Sequence, residues 1–164
     1  MKKVKAPISN RTIEDLEIGD RVSIHGKIFT GRDAALPKLV RAIREGRQIL
    51  DLGGSVIMHT AVSNAGIAPT TSNKEEIEGS IPHLAKFGVK IHIGKGVLNK
   101  NTIEALNREK SIFLVTPPAA ALLTSKIISK KVAAFEEEGI EAIYQLKVDG
   151  IPGIVAVVHG ESLY

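Results

Sequence analysis

The feature that most narrows the folds open to this chain is its succession of short strand-period and helix-period segments, separated by Gly and Pro. Asp20-Arg21-Val22-Ser23-Ile24-His25-Gly26 alternates polar and apolar side chains with the period of a half-buried strand, and Lys27-Ile28-Phe29-Thr30 reads as the next strand. Pro37 suits the first turn of a helix with Leu39, Val40 and Ile43 on one face and Gly46 as its stop. Ser55-Val56-Ile57-Met58-His59 is an apolar run of buried-strand character. Val89-Lys90-Ile91-His92-Ile93 alternates and runs into Gly94-Lys95-Gly96. A helix is expected from about Asn99 to Arg108, a strand over Ser111 to Val115, and an Ala-rich helix opened by Pro117-Pro118 and reaching Ile127. Ser72 and Glu75 have capping-box spacing, which starts a helix at Ser72 that Pro82 is expected to end or break. Ala142 to Val148 and Ile154 to Val158 read as two closing strands around Gly150-Ile151-Pro152-Gly153. The sum is an α/β (mixed α+β) single domain over residues 1–164, with a mixed sheet and flanking helices. Strict βαβ repetition is lost at both ends, which argues against a doubly wound sheet. Residues 1–10 are expected to be a flexible or partner-contacting tip.

Composition restricts the chemistry. The 164 residues are 43% hydrophobic but only 4% aromatic, so the core must be aliphatic. There is no cysteine, which removes a disulfide framework, a thiolate nucleophile, a Cys-type zinc site and a Cys-ligated iron–sulfur cluster held by this chain. Lys plus Arg is 22 against 18 for Asp plus Glu, a surplus too thin and too scattered for a nucleic-acid interface. No apolar window reaches the roughly 18 residues of a membrane helix, and Pro7-Ile8-Ser9-Asn10-Arg11 follows the basic tip where a signal peptide would turn apolar. The expected location is the cytoplasm, with neither nucleic acid nor membrane as partner.

Three segments are candidates for chemistry. Gly94-Lys95-Gly96 lets backbone approach an anion while Lys95 supplies charge, but its spacing matches neither a Walker loop nor a dinucleotide fingerprint. Pro69-Thr70-Thr71-Ser72 precedes a helix, where hydroxyls either cap the helix or meet a substrate carboxylate, with Lys74 nearby. In Gly31-Arg32-Asp33, Arg32 can hold a carboxylate through two hydrogen bonds; the competing reading is a plain strand-to-helix turn. Of the histidines, His25 and His92 read as structural or exposed, and His59 is the one placed near the Thr-Thr loop. None has metal-ligand spacing, so no metal site is expected.

Taken together and in order, these segments resemble the β subunit, or C-terminal domain, of class I fumarate hydratases and the related tartrate dehydratases. The matching blocks are Leu16-Glu17-Ile18-Gly19-Asp20, Gly26 to Ala35, Pro69-Thr70-Thr71-Ser72, Ile93-Gly94-Lys95-Gly96, Glu141-Ala142-Ile143-Tyr144 and the final Gly160-Glu161-Ser162-Leu163-Tyr164. The resemblance implies a swivelling β/β/α domain and reversible hydration of fumarate to L-malate. It implies a [4Fe–4S] cluster on a separate α subunit, no cofactor on this chain, a small dicarboxylate substrate and a hetero-oligomer, with a homodimer as the alternative for the isolated chain. It further implies that Arg32, Thr71 and Lys74 bind substrate, that Lys95 holds carboxylate or stabilises developing negative charge, and that Thr70 sits nearest the reacting carbon. Preorganised cations suit this reaction, since proton removal beside a carboxylate builds up negative charge.

The chain departs from the family pattern at several points. Lys74 replaces an arginine and loses the bidentate fork. Leu36 stands where the Arg-Asp-x-x-His block has its histidine. Ala61-Val62 replaces a Gly-Pro pair, Ala68 a Gly, and Pro117-Pro118 a Gly-Gly. These changes leave a second expectation: a weak or inactive paralogue serving as a dicarboxylate-binding or assembly module.

Overall fold

The computed structural model describes residues 1–67 and 74–164, with side chains left out for 74–78. The elements run β1 (Lys2–Lys5), α1 (Asn10–Glu14), β2 (Arg21–Thr30), α2 (Leu36–Arg44), β3 (Val56–Met58), a small hairpin of β4 (Val62–Ser63) and β5 (Gly66–Ile67), and α3 (Lys74–Lys86). They continue with β6 (Ile91–Gly94), α4 (Lys100–Arg108), β7 (Ile112–Val115), α5 (Ala120–Thr124), β8 (Ile127–Ala134), a 3-10 segment (Glu136–Glu141), β9 (Ile143–Val158) and β10 (Glu161–Ser162). The mixed sheet with flanking helices is as the periodicity predicts.

The strand pairings close on themselves. β2 pairs β3, β3 pairs β6 and β6 pairs β7, all parallel; β7 then pairs β9 and β9 returns to β2, both antiparallel. Alternation along each strand sends side chains to two sides of this ring. Ile28, Met58, Ile93, Leu114 and Leu146 join one aliphatic cluster. Their neighbours Phe29 and Ile57 pack with Leu39 and Leu84 of α2 and α3, and Phe113 packs with Ile81 and Leu106 of α3 and α4. No helix among the described residues is long and apolar enough to cross a membrane.

Several expectations change. The two strands over 20–30 are one, β2, which absorbs an irregularity between Ile24 and His25 because β9 pairs along its whole length. Pro82 lies inside α3 without ending it: Ile81, Leu84 and Ala85 are buried on both sides of the proline, and that packing outweighs the lost helical hydrogen bond. The Ala-rich helix stops at Thr124; Ile127 belongs to β8, whose Ile and Val residues gain a full partner in β9. The two closing strands are one, β9, because Ile151, Pro152 and Gly153 stay in register with Ile24, Ser23 and Val22 of β2. Residues 2–5 of the expected flexible or partner-contacting tip form β1, paired parallel with β2. The capping box starting at Ser72 lies outside the described residues.

Candidate active site

Register places the C-terminal ends of the parallel strands in one row. Thr30 is opposite Met58, Met58 opposite Ile93 and Ile93 opposite Leu114. The loops Gly31-Arg32-Asp33, His59-Thr60-Ala61 and Gly94-Lys95-Gly96 therefore leave the same edge of the sheet, where ligands of parallel sheets are commonly met. β3 alone separates the strands that carry Arg32 and Lys95, a backbone separation of about 10 Å that two long cationic side chains can bridge.

Arg32 sits at the turn into α2, where its carbonyl accepts from the amides of Ala35 (3.1 Å) and Leu36 (2.9 Å). Its guanidinium is mostly buried, and Nε donates to Glu141 Oε1 at 3.2 Å. Gly31 precedes it because a Cβ there would lie 2.9 Å from Leu36 Cδ2. That contact also explains Leu36: the side chain in the family's histidine position is buried against Gly31 and joins the cluster of Leu39 and Leu84. The departure at Val62 has the same character, since Val62 is buried in the central cluster.

Lys95 is exposed at the tip of its loop. The base of the loop is tight: a Cβ on Gly94 would come within 3.1 Å of Phe113 Cζ and 3.9 Å of His59 Cβ. The far side is anchored at α4, where Asn99 Oδ1 caps the helix by accepting from the Thr102 amide at 2.8 Å. Lys74 begins the described part of α3, and its side chain is outside the description. Thr70 and Thr71 lie outside the described residues. The structure thus brings Arg32 and Lys95 to one edge, and α3 enters the fold after the segment that carries the two threonines.

Beneath this edge lies a pair that sequence spacing did not reveal. His59 and His92 are both fully buried, with His59 Nε2 3.5 Å from His92 Nδ1 and ring centroids 5.7 Å apart. His92 is therefore a core residue, which settles its structural-or-exposed alternative. The His59 amide donates to the Ile93 carbonyl at 2.8 Å, tying β3 to β6 just below the Lys95 loop. Burial pushes the His59 imidazole down to about 4 and the His92 imidazole well below its usual range, the latter with a smaller contribution from His59. His25, by contrast, is held away from this edge between Ser23 (2.9 Å) and Asp149 (3.1 Å). The two histidines lie 33 positions apart, one just past β3 and the other on β6, so no short-range motif could have paired them.

Next to the edge is an open cleft of about 620 Å³ between the β4–β5 hairpin, Ala120 and Ala121 of α5, and Ile140 beside Glu141. Arg32 and Lys95 are not among its lining residues. No group of three or more metal-ligating side chains occurs among the described residues, and the sequence contains no cysteine. This chain's own donor set does not fit an iron–sulfur cluster.

The family model described as Fumarase C-terminus matches residues 2–164. The chain is 32% identical to a putative fumarate hydratase class I from Geobacillus stearothermophilus, covering 98% of this chain and 33% of that protein. It is 28% identical to a putative L(+)-tartrate dehydratase subunit beta from Methanocaldococcus jannaschii, covering 96% of this chain and 88% of that one. With the aerobic fumarate hydratase class I of Escherichia coli (strain K12) it shares 24% identity over 96% of this chain and 29% of that protein. The chain thus spans about a third of the fumarate hydratases it matches and most of the separate beta subunit. A family-model match over all but the first residue makes this chain a member of the Fumarase C-terminus family.

Proposed function

We propose that this chain is the β component of a two-part hydro-lyase that reversibly hydrates fumarate, or dehydrates L-malate or a similar hydroxy diacid. Relatives named as fumarate hydratases and as a tartrate dehydratase beta subunit support a hydro-lyase. The observation that carries the reading is the common edge from which Arg32 and Lys95 project, one strand apart. Arg32 binds a substrate carboxylate, and Lys95 stabilises the negative charge that builds up when a proton leaves the carbon beside the other carboxylate. Thr71 and Lys74 complete the binding set, and Thr70 sits nearest the reacting carbon. Threonine is a poor base at its free pKa, so Thr70 needs an activating neighbour.

A [4Fe–4S] cluster belongs to an α partner in this reading, because this chain has no cysteine to ligate one. The working unit is a hetero-oligomer in the cytoplasm. Anaerobic reconstitution with a cluster-bearing α subunit tests it. Turnover of fumarate, L-malate or tartrate by the pair and not by this chain alone is the expected result, and no turnover by a correctly loaded pair would sink the reading.

A second reading, a dicarboxylate-binding or assembly module without turnover, is favoured by Leu36. The position where the family has a histidine is filled by a buried aliphatic side chain. Calorimetric binding of fumarate and tartrate to an assembled complex that lacks turnover would select this second reading.

A further inference from the structure

Glu141 has been assigned no role by its motif, yet Arg32 reaches it across 109 positions of sequence. We propose that Glu141 is a positioning residue for the carboxylate-binding arginine, accepting from Arg32 Nε and so fixing the plane in which the guanidinium meets a substrate carboxylate. This inference rests on the hydro-lyase reading above.

Three features of the structure carry it. A guanidinium is a planar fork, and its value for carboxylate recognition depends on holding that plane; a hydrogen bond at Nε restrains the last rotatable bonds of a long, flexible side chain. The pair is also shielded, with side chains only 19% and 30% exposed, so it is screened less than a surface ion pair. Finally, the carboxylate is delivered by anchored backbone. Glu137 and Glu138 both pair with Lys38 of α2, and the Lys38 ammonium lies 5.9 Å from the centre of the Phe135 ring. On the other side, the Ala142 amide donates to the Gly139 carbonyl at 3.0 Å, and Ala142 and Ile143 are buried. The segment from Phe135 to Ile143 is therefore fastened on both sides of Glu141, to the same helix whose start positions Arg32.

An acid beside a substrate-binding arginine has two possible consequences, and they differ in sign. If Glu141 merely occupies Arg32 in competition with substrate, its neutral replacement strengthens dicarboxylate binding. If it orients Arg32, the same replacement weakens binding even though the site becomes more positive.

The test is Glu141→Leu, which removes the acceptor, in the assembled complex, with fumarate and L-malate as probes. KM is expected to rise about tenfold while kcat falls less, and the Arg32 Nε–H is expected to exchange faster with solvent by NMR. Lys38→Met loosens the neighbouring tether without touching Arg32 and should raise KM and Nε–H exchange by less than Glu141→Leu does. Tighter or unchanged dicarboxylate binding by Glu141→Leu would overturn the proposal. Equal loss in Lys38→Met would do the same, since it would reduce Glu141 to general support. A wild-type complex with no turnover of any hydroxy diacid brings down the functional reading, whereas unchanged Nε–H exchange in Glu141→Leu removes the positioning role on its own.

Discussion

His59 Nε2 lies 3.5 Å from His92 Nδ1 in a fully buried pair, and the outward nitrogens, His59 Nδ1 and His92 Nε2, have no hydrogen-bond partner among the described residues. Two imidazoles in an aliphatic core must both stay neutral, and each leaves one polar atom unsatisfied there. The pair sits where β3 and β6 end, directly under the loop that carries Lys95. Its position couples core stability to the region where the chemistry is proposed.

The pH dependence follows from the direction of the two shifts. Both pKa values are lowered on folding, so below about 6.5 the unfolded chain binds protons that the folded chain refuses. Stability from this source is complete above pH 6.5 and is lost progressively as pH falls toward 4, by roughly 3 kcal/mol for His59. Urea denaturation at pH 7.5 and 4.5 should show this loss, and a His59→Leu/His92→Met chain should show a smaller one. Equal acid loss in both chains would mean that the pair is not the source.

Lys95 is exposed, so replacing it should leave the fold intact and act on catalysis. In the reconstituted complex, Lys95→Ala is expected to lower kcat about a hundredfold, with a smaller change in KM, because the proposed charge develops in the transition state. An unchanged kcat takes Lys95 out of the mechanism, and equal melting temperatures confirm that folding is not the cause.

Gly31 and Leu36 form a packed couple, since a Cβ on Gly31 would lie 2.9 Å from Leu36 Cδ2. Gly31→Ala should cost about 1–3 kcal/mol and Leu36→Ala about 2–5 kcal/mol. The double variant should cost less than their sum, because the smaller residue at 36 makes room for the methyl. Strict additivity in chemical denaturation would show that the two do not share this space.

Asn99 ends the Lys95 loop by capping α4. Asn99→Ala should lower stability by about 1 kcal/mol, whereas Asn99→Ser, which keeps an acceptor, should recover most of it. Equal loss in both variants would show that the Oδ1 bond is not what holds the helix start.

Much of this protein could be read locally. The strand period around Val22 and Ile28, the Pro37 helix start and the Asn99 cap each depend on residues within a turn or two. The loops of Arg32 and Lys95 were visible as motifs for the same reason, since a Gly at a strand end marks a close backbone approach wherever it occurs. Their sharing of one edge was a different matter. It depends on β2, β3 and β6 pairing in parallel, which no window of sequence contains.

The sequence by itself therefore determined the class of fold, the aliphatic core, the absence of thiol chemistry and which loops could carry charge, because propensity, period and composition are short-range properties. Tertiary structure decided the rest. The long β9 survives Pro152 because β2 pairs with it on both sides of the proline, from Tyr144 to Ile154, and the chain after Thr124 becomes strand because β9 is there to receive it. His92 turns inward to meet His59, Leu36 fills the space above Gly31, and Glu141 reaches Arg32 from 109 positions away. Each of those outcomes is a contact between segments distant in the chain, and it acquires its energy only when folding has brought both partners together.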